Sequence, residues 1–215
     1  MIKKISRLTL TFCMAILLPF IASASDFQEG EQYTKISEKI STKSEVREYF
    51  SFYCPHCFRF EPLMAQVKKV LPSGTKFERN HVDFLRQASP EIQFMLSKAV
   101  VVAQQLKMEK KLVNAIFNYI HVQRAMFSSE KDLRNVFVLN GADGDKFDKL
   151  MKSFSVNSHA KRMKRNQEEL TNKRALTSVP TIIVNGKYRI NTDKIGKGNF
   201  EGNYKKLVSY LLTLK

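Results

Sequence analysis

The sequence predicts an α/β fold carrying a helical insertion, and three observations support that reading. Residues 46–84 follow a strand, helix, strand pattern; residues 179–190 read as a hairpin with a helix after it; and roughly 85 to 90 largely helical residues separate the two halves.

Taken in order, residues 46–53 (Val-Arg-Glu-Tyr-Phe-Ser-Phe-Tyr) are β-branched or aromatic at most positions, which suits a buried strand. Apolar side chains then recur at helical spacing at Phe60, Leu63, Met64, Val67 and Val70, until Leu71-Pro72-Ser73-Gly74 stops the helix. Residues 75–84 read as a second strand and complete a unit of βαβ size. Ser89-Pro90-Glu91 supplies an N-cap, a proline at the first helical position and an acid in the first turn. Leu112, Val113, Ile116, Phe117 and Ile120 form one apolar stripe. Ser129 with Asp132 opens another helix that ends at Asn140-Gly141, and Phe147, Leu150, Met151 and Phe154 mark a third. After a long segment over 157–176, Thr181-Ile182-Ile183-Val184 and Lys187-Tyr188-Arg189-Ile190 flank Asn185-Gly186, a strong hairpin signal. Leu207, Val208, Leu211 and Leu212 give a closing helix.

The N-terminus sets the redox context. Lys3, Lys4 and Arg7 precede an apolar stretch over 8–21, which ends in Ala22-Ser23-Ala24, a small-residue pattern suited to a signal peptidase. The apolar run is about 14 residues where a membrane span needs roughly 20, and it contains Pro19. A cleaved leader over 1–24 is therefore expected, with the mature chain starting near Ser25. Cys13 leaves with it, and the two remaining cysteines stand three apart as Cys54-Pro55-His56-Cys57. A bridge between them closes almost no loop, so its value is chemical and not that of a staple.

Composition bounds the rest. The mature length fits one domain or one domain with an insertion, and 43% hydrophobic residues suffice for a core without further disulfides. Losing Lys3, Lys4 and Arg7 takes the formal net charge from +16 to +13. The basic residues are spread along the chain; the densest run, Lys161-Arg162-Met163-Lys164-Arg165, lies at helical spacing near Glu168 and Glu169 and reads as a solvated face. No nucleic-acid partner is expected. A zinc site needs about four ligands, and the mature chain offers neither a second cysteine pair nor a close histidine pair. A c-type haem needs histidine directly after the second cysteine, where Phe58 stands. No metal and no cofactor are expected. His81, His121 and His159 have no comparable context and read as satisfied or solvated.

A C-x-x-C at a helix start, after a buried strand and inside a βαβ unit, reads as a thioredoxin-like redox site. The expected division is 1–24 leader, 25–88 first part of the thioredoxin-like domain, 89–165 helical insertion and 166–215 second part. In disulfide exchange the thiolate attacks or leaves, so the site must stabilise negative sulfur on Cys54. At a helix N-terminus that sulfur meets unpaired N–H groups and the positive end of the helix dipole, and His56 adds a donor and, when protonated, a charge. Both effects favour the dithiol over the disulfide, so the oxidised pair is expected to be donated readily. Cys54 is expected to be the exposed sulfur that forms the mixed disulfide, and Cys57 its partner within the helix. Glu48 reads either as a surface carboxylate or as a buried acid whose raised pKa lets it serve proton movement at Cys57.

The run from Glu48 through Cys57, the following Phe60-Glu61-Pro62, and the distant Val179-Pro180 before Val184-Asn185-Gly186-Lys187-Tyr188 resemble the DsbA family of periplasmic disulfide oxidants, across essentially the whole mature chain. Ser178 stands where many members carry glycine. The resemblance implies Cys54, Pro55, His56, Cys57 and Glu48 as the catalytic set, with Glu48 as the buried acid and a Cys54–Cys57 disulfide. It also implies a cis Val179-Pro180 bond facing the dithiol, with the Val179 backbone pairing with an extended substrate. It further implies a periplasmic monomer that oxidises cysteines of folding exported proteins and is reoxidised by a DsbB-like membrane quinone reductase. A disulfide isomerase or reductase, and a basic periplasmic binding protein with an incidental dithiol, are the alternative readings.

Overall fold

The computed structural model describes residues 26–214; the expected leader at 1–24, with Cys13, lies outside them. Five strands form one sheet: β1 (Tyr33–Lys35), β2 (Glu45–Phe50), β3 (Lys76–His81), β4 (Thr181–Val184) and β5 (Tyr188–Ile190), in the order β1-β5-β4-β2-β3. β2 and β3 are parallel, joined by α1 (Pro55–Val70), while β4 and β5 form the hairpin across Asn185-Gly186, and β4 pairs antiparallel with β2. Asn185 and Gly186 have φ of 53° and 65°, the left-handed pair that a tight hairpin turn requires.

Between β3 and β4 lie five helices: α2 (Pro90–Gln105), α3 (Glu109–His121), α4 (Glu130–Leu139), α5 (Gly144–Lys152) and α6 (Phe154–Asn172). Their starts follow the caps read from sequence, with Ser89 Oγ accepting from Ile92 N–H and Ser129 closing a reciprocal box with Asp132. The stripe Leu112, Val113, Ile116, Phe117, Ile120 is buried. α7 (Phe200–Thr213) packs beside α1, burying Leu63, Met64 and Val67 against Tyr204, Leu207 and Val208. Lys161, Arg162, Lys164 and Arg165 are exposed on α6 with Met163 buried beneath them. No helix among the described residues is long and apolar enough to cross a membrane.

The structure differs from the sequence reading in four places. β2 ends at Phe50, and residues 51–53 turn, with Cys54 N–H donating to Ser51 C=O at 3.1 Å. β3 likewise ends at His81, three residues short of the expected Phe84. Phe154 does not continue the helix of Phe147 and Met151: Ser153 Oγ accepts from Val156 N–H, so a new helix begins and leaves Phe154 87% exposed. β1, three residues pairing with the outer edge of β5, was not read from sequence; so short a strand gives no alternating pattern to detect.

Candidate active site

The turn after β2 delivers Cys54 to the N-cap of α1. Its φ, ψ of −93°, 110° are extended, Pro55 takes the first helical position, where no N–H is needed, and Cys54 Sγ accepts from Cys57 N–H at 3.1 Å. Both cysteines stand as free thiols. Cys54 is 5% exposed and Cys57 0%. The order of exposure is the expected one, but Cys54 is far less open than expected. The loop ahead of β4 lies against it, with the Val179 carbonyl 3.4 Å from Sγ and the Val179-Pro180 peptide cis. Ser178 keeps an ordinary negative φ and uses its carbonyl to accept from Thr181 Oγ1 at 2.7 Å.

The two thiols are tuned in opposite directions. Cys54 is lowered to about 7, first by the hydrogen bond from the Cys57 side chain; the backbone N–H groups of Cys57 and His56 and the Arg59 guanidinium add to this against the opposing effect of burial. Cys57 is pushed far up, first by burial and then by sharing that hydrogen bond and the charge of Cys54. His56 acts on Cys54 through its backbone; its exposed ring turns the other way, Nδ1 lying 3.2 Å from Arg59 Nη2. A guanidinium only donates, so Nδ1 is the acceptor.

Glu48 lies beneath this helix start on β2, fully buried and close enough for its charge to oppose a thiolate on Cys57. Burial raises its pKa to about 7 despite the charge of Arg79. The parallel register sets Glu48 opposite Arg79 on β3, yet Arg79 Nη2 is 3.5 Å from Glu48 Oε2 and makes its short bond, 2.9 Å, to Glu61 on α1. Neither oxygen of Glu48 accepts a hydrogen bond from the described protein. Glu109 of α3 completes the cluster, 3.6 Å from Arg79 Nε and 3.4 Å from Lys68 Nζ. Burial works against the charge on Arg79, and the three carboxylates outweigh it.

Sequence reasoning did not identify Arg59, Glu61, Arg79 or Glu109 as parts of the site. It also set aside His121, which reaches it: Nε2 lies 2.8 Å from the Phe52 carbonyl, and the ring stacks on Phe58 at 5.2 Å and 9°. His81 is buried with Nδ1 2.9 Å from Ser97 Oγ, and burial lowers it to about 3. His159 is exposed.

Known proteins resemble this chain in sequence and fold. The DSBA-like thioredoxin domain family matches residues 45–201. Thiol:disulfide interchange protein DsbA of Pectobacterium carotovorum subsp. carotovorum is 36% identical over 94% of this chain and 96% of its own length. The Haemophilus influenzae protein of the same name is 34% identical over 98% of each. Among solved structures, Proteus mirabilis DsbA with the non-covalently bound peptide PWATCDS superposes with a TM-score of 0.78 at 30% identity, covering 88% of this chain and all of that one. With its helix-capping Cys54–Cys57 pair, this chain belongs to the DsbA family of thioredoxin-fold thiol:disulfide oxidoreductases.

Proposed function

We propose that this protein is a periplasmic dithiol oxidase that passes its Cys54–Cys57 disulfide to cysteines of folding exported proteins. The carrying observation is the split between the thiols: Cys54 lowered to about 7 and Cys57 driven the other way. A substrate thiolate attacks Cys54 Sγ and the Cys54–Cys57 bond breaks, Cys57 leaving as a thiolate that takes up a proton. A second substrate thiolate then attacks the substrate sulfur of the mixed disulfide, and Cys54 leaves as the stabilised thiolate. Two electrons have moved from substrate to enzyme. A stable thiolate on Cys54 draws that equilibrium toward the reduced enzyme, a behaviour for which DsbA proteins are the standing example.

Pro55 starts the helix without occupying an N–H, His56 contributes its backbone donor, and Glu48 relays the proton that Cys57 gains and loses. Val179, with Pro180 fixing its approach, offers a carbonyl beside Cys54 for pairing with an extended segment; the peptide held by the Proteus mirabilis relative supports that use. A membrane quinone-linked partner resembling DsbB takes the two electrons back. The leader over 1–24 carries the chain to that compartment.

The test is equilibrium unfolding of the reduced and oxidised forms from pH 9 to pH 6, followed by circular dichroism because the chain has no tryptophan. A thiol whose folded pKa lies below its unfolded value stabilises the folded state fully above the unfolded pKa, and loses that contribution as pH falls through the folded one. The reduced form is expected to be the more stable at pH 7. Its advantage is expected to shrink by about 2 kcal/mol as pH falls from 9 through 7, since a thiol pKa lower by one in the folded state is worth about 1.4 kcal/mol. An oxidised form that is the more stable at pH 7 overturns the oxidase and leaves a reductase or isomerase.

A further inference from the structure

Beside Cys54 lies an open groove of about 690 Å³, bounded by His56 and Arg59 of α1, the Val179-Pro180 loop, Arg189 of β5 and Asp193 beyond it. Its charges are unusual for this molecule. Arg47, Arg79 and Arg134, the other described arginines drawn out of full exposure, each meet a carboxylate: Glu45 at 3.0 Å, Glu61 at 2.9 Å and Asp148 at 2.9 Å. Arg189 is also partly buried, yet among the described residues it donates to neutral oxygens, the Ala175 carbonyl and Thr34 Oγ1 at 3.4 Å and Asn191 Oδ1 at 3.5 Å. Arg59 faces His56 Nδ1. Among the described residues, neither guanidinium has a carboxylate within 4.0 Å, and Asp193 is the only acid in the groove wall.

Two guanidinium groups without a counter-ion, one of them partly desolvated, complement a carboxylate, which the planar fork holds with two parallel charge-assisted hydrogen bonds. The groove runs alongside the reacting sulfur, so the carboxylate must arrive on the substrate. Arg59 lies five positions after Cys54 on α1, about 7 to 8 Å along the helix axis at 1.5 Å per residue. An extended segment covers that distance in two to three residues at about 3.3 Å each.

We propose that this groove selects cysteine segments that carry an aspartate or glutamate within about three residues of the reacting cysteine. The proposal rests on the oxidase reading and names the substrate class of that same site. Acidic segments dock faster, because rim charges act chiefly on association, and salt weakens the preference.

The experiment uses reduced dithiol heptapeptides with amidated C-termini, identical except for Asp, Asn or Lys two positions from the first cysteine. The oxidised protein is mixed with each, quenched in acid, alkylated and weighed, giving second-order rates of disulfide transfer. Each rate is divided by the same peptide's rate with a small uncharged disulfide, which removes the effect of the flanking charge on thiol reactivity. At low ionic strength the Asp peptide is expected to react about tenfold faster than the Lys peptide, with Asn between, and the ratio is expected to fall toward one at high salt. In the Arg59→Gln, Arg189→Gln double variant the ratio is expected to lie near one at low salt. A wild-type ratio near one, a ratio indifferent to salt, or a ratio unchanged in the double variant overturns the selectivity. If the double variant does not fold, the single Arg59→Gln variant, at an exposed position of α1, is expected to lower the Asp-to-Lys ratio at low salt, and an unchanged ratio there overturns the selectivity. Equal, rapid oxidation of all three peptides overturns the selectivity and leaves the oxidase reading standing; an oxidised protein that none of them reduces overturns both.

Discussion

Around Cys54 the polar groups are the Cys57 thiol, backbone N–H donors, one carbonyl and the guanidinium of Arg59, whereas beneath Cys57 they are carboxylates gathered on Arg79, Glu48 fully buried and Glu61 partly so. One helical turn separates these surroundings. The rim stabilises a negative sulfur first with the hydrogen bond of the Cys57 thiol and then with backbone dipoles and the Arg59 charge, which need no proton of their own to move. The floor opposes a negative sulfur, because burial and a nearby acid both favour the neutral thiol. The difference shows how two residues of one type on one helix acquire unlike chemistry: Cys54 is set by the Cys57 thiol and the helix end, and Cys57 by the depth of the sheet behind it.

The largest effects come from removing either sulfur. Cys54→Ser and Cys57→Ser are each expected to lower disulfide transfer by on the order of 10³-fold or more, since the two sulfurs act as one unit. The Cys54→Ser variant is expected to stay folded, serine being a good N-cap. Mass spectrometry after incubation with a cysteine peptide disulfide separates rim from floor: Cys57→Ser is expected to accumulate a covalent adduct at Cys54, and Cys54→Ser to accumulate little at the fully buried Cys57. Equal adduct yields in the two variants break the comparison.

The rim was far more legible in the sequence than the floor. Cys54-Pro55-His56-Cys57 announces itself by spacing, its strand-to-helix setting follows from local pattern, and the cis Val179-Pro180 contact came from family resemblance. Glu48 was suggested by its strand, but Arg79 and Glu61 meet it only through the parallel register of β2 with β3 and the packing of α1 across that pair. Glu109 reaches the cluster from the helical insertion, 61 positions further along the chain, and no local periodicity encodes such a contact. Arg59 and Arg189 likewise share a groove only because α1 and the hairpin lie against one another. His121 was passed over because its partner is a backbone carbonyl, which leaves no mark in the side-chain pattern.

Glu48→Gln sharpens the floor by about 2 kcal/mol. A carboxyl whose folded pKa is raised from 4.5 to about 7 favours the folded state below the unfolded value and loses that contribution as pH rises through the folded one. Glutamine has no such loss. The variant is therefore expected to gain stability over the wild type progressively from about pH 4.5 to pH 7 and to hold the gain above it, with the direction fixed by burial. The full rise corresponds to about 3 kcal/mol, and the reduced compensation of Arg79 takes back part of it. Arg79 is not stranded, because Glu61 remains at 2.9 Å and Glu109 at 3.6 Å. Denaturant unfolding at pH 4.5 and pH 8 measures the difference. Disulfide transfer is expected to slow in the same variant, since Cys57 loses its relay. A variant destabilised at pH 8 shows that the Glu48–Arg79 pairing outweighs desolvation, and the floor is then an ion pair.

His121→Ala makes the smallest demand and asks whether the helical insertion belongs to the rim. The ring donates toward the Phe52 carbonyl at 2.8 Å and stacks on Phe58, so α3 is tied to the chain on either side of Cys54 and Cys57. Yet His121 acts on a backbone carbonyl and an aromatic face, not on the donors that lower Cys54. The loss is therefore expected in stability, about 1 kcal/mol for the hydrogen bond and the stack together, while the thiolate absorbance of Cys54 still titrates near 7. His121→Phe keeps a ring on Phe58 and leaves the carbonyl without its donor, which divides the two contributions. A Cys54 titration midpoint that moves by about tenfold in proton concentration in His121→Ala means that the insertion sets the height of the helix start against the Val179 carbonyl, and the rim then extends into the helical half.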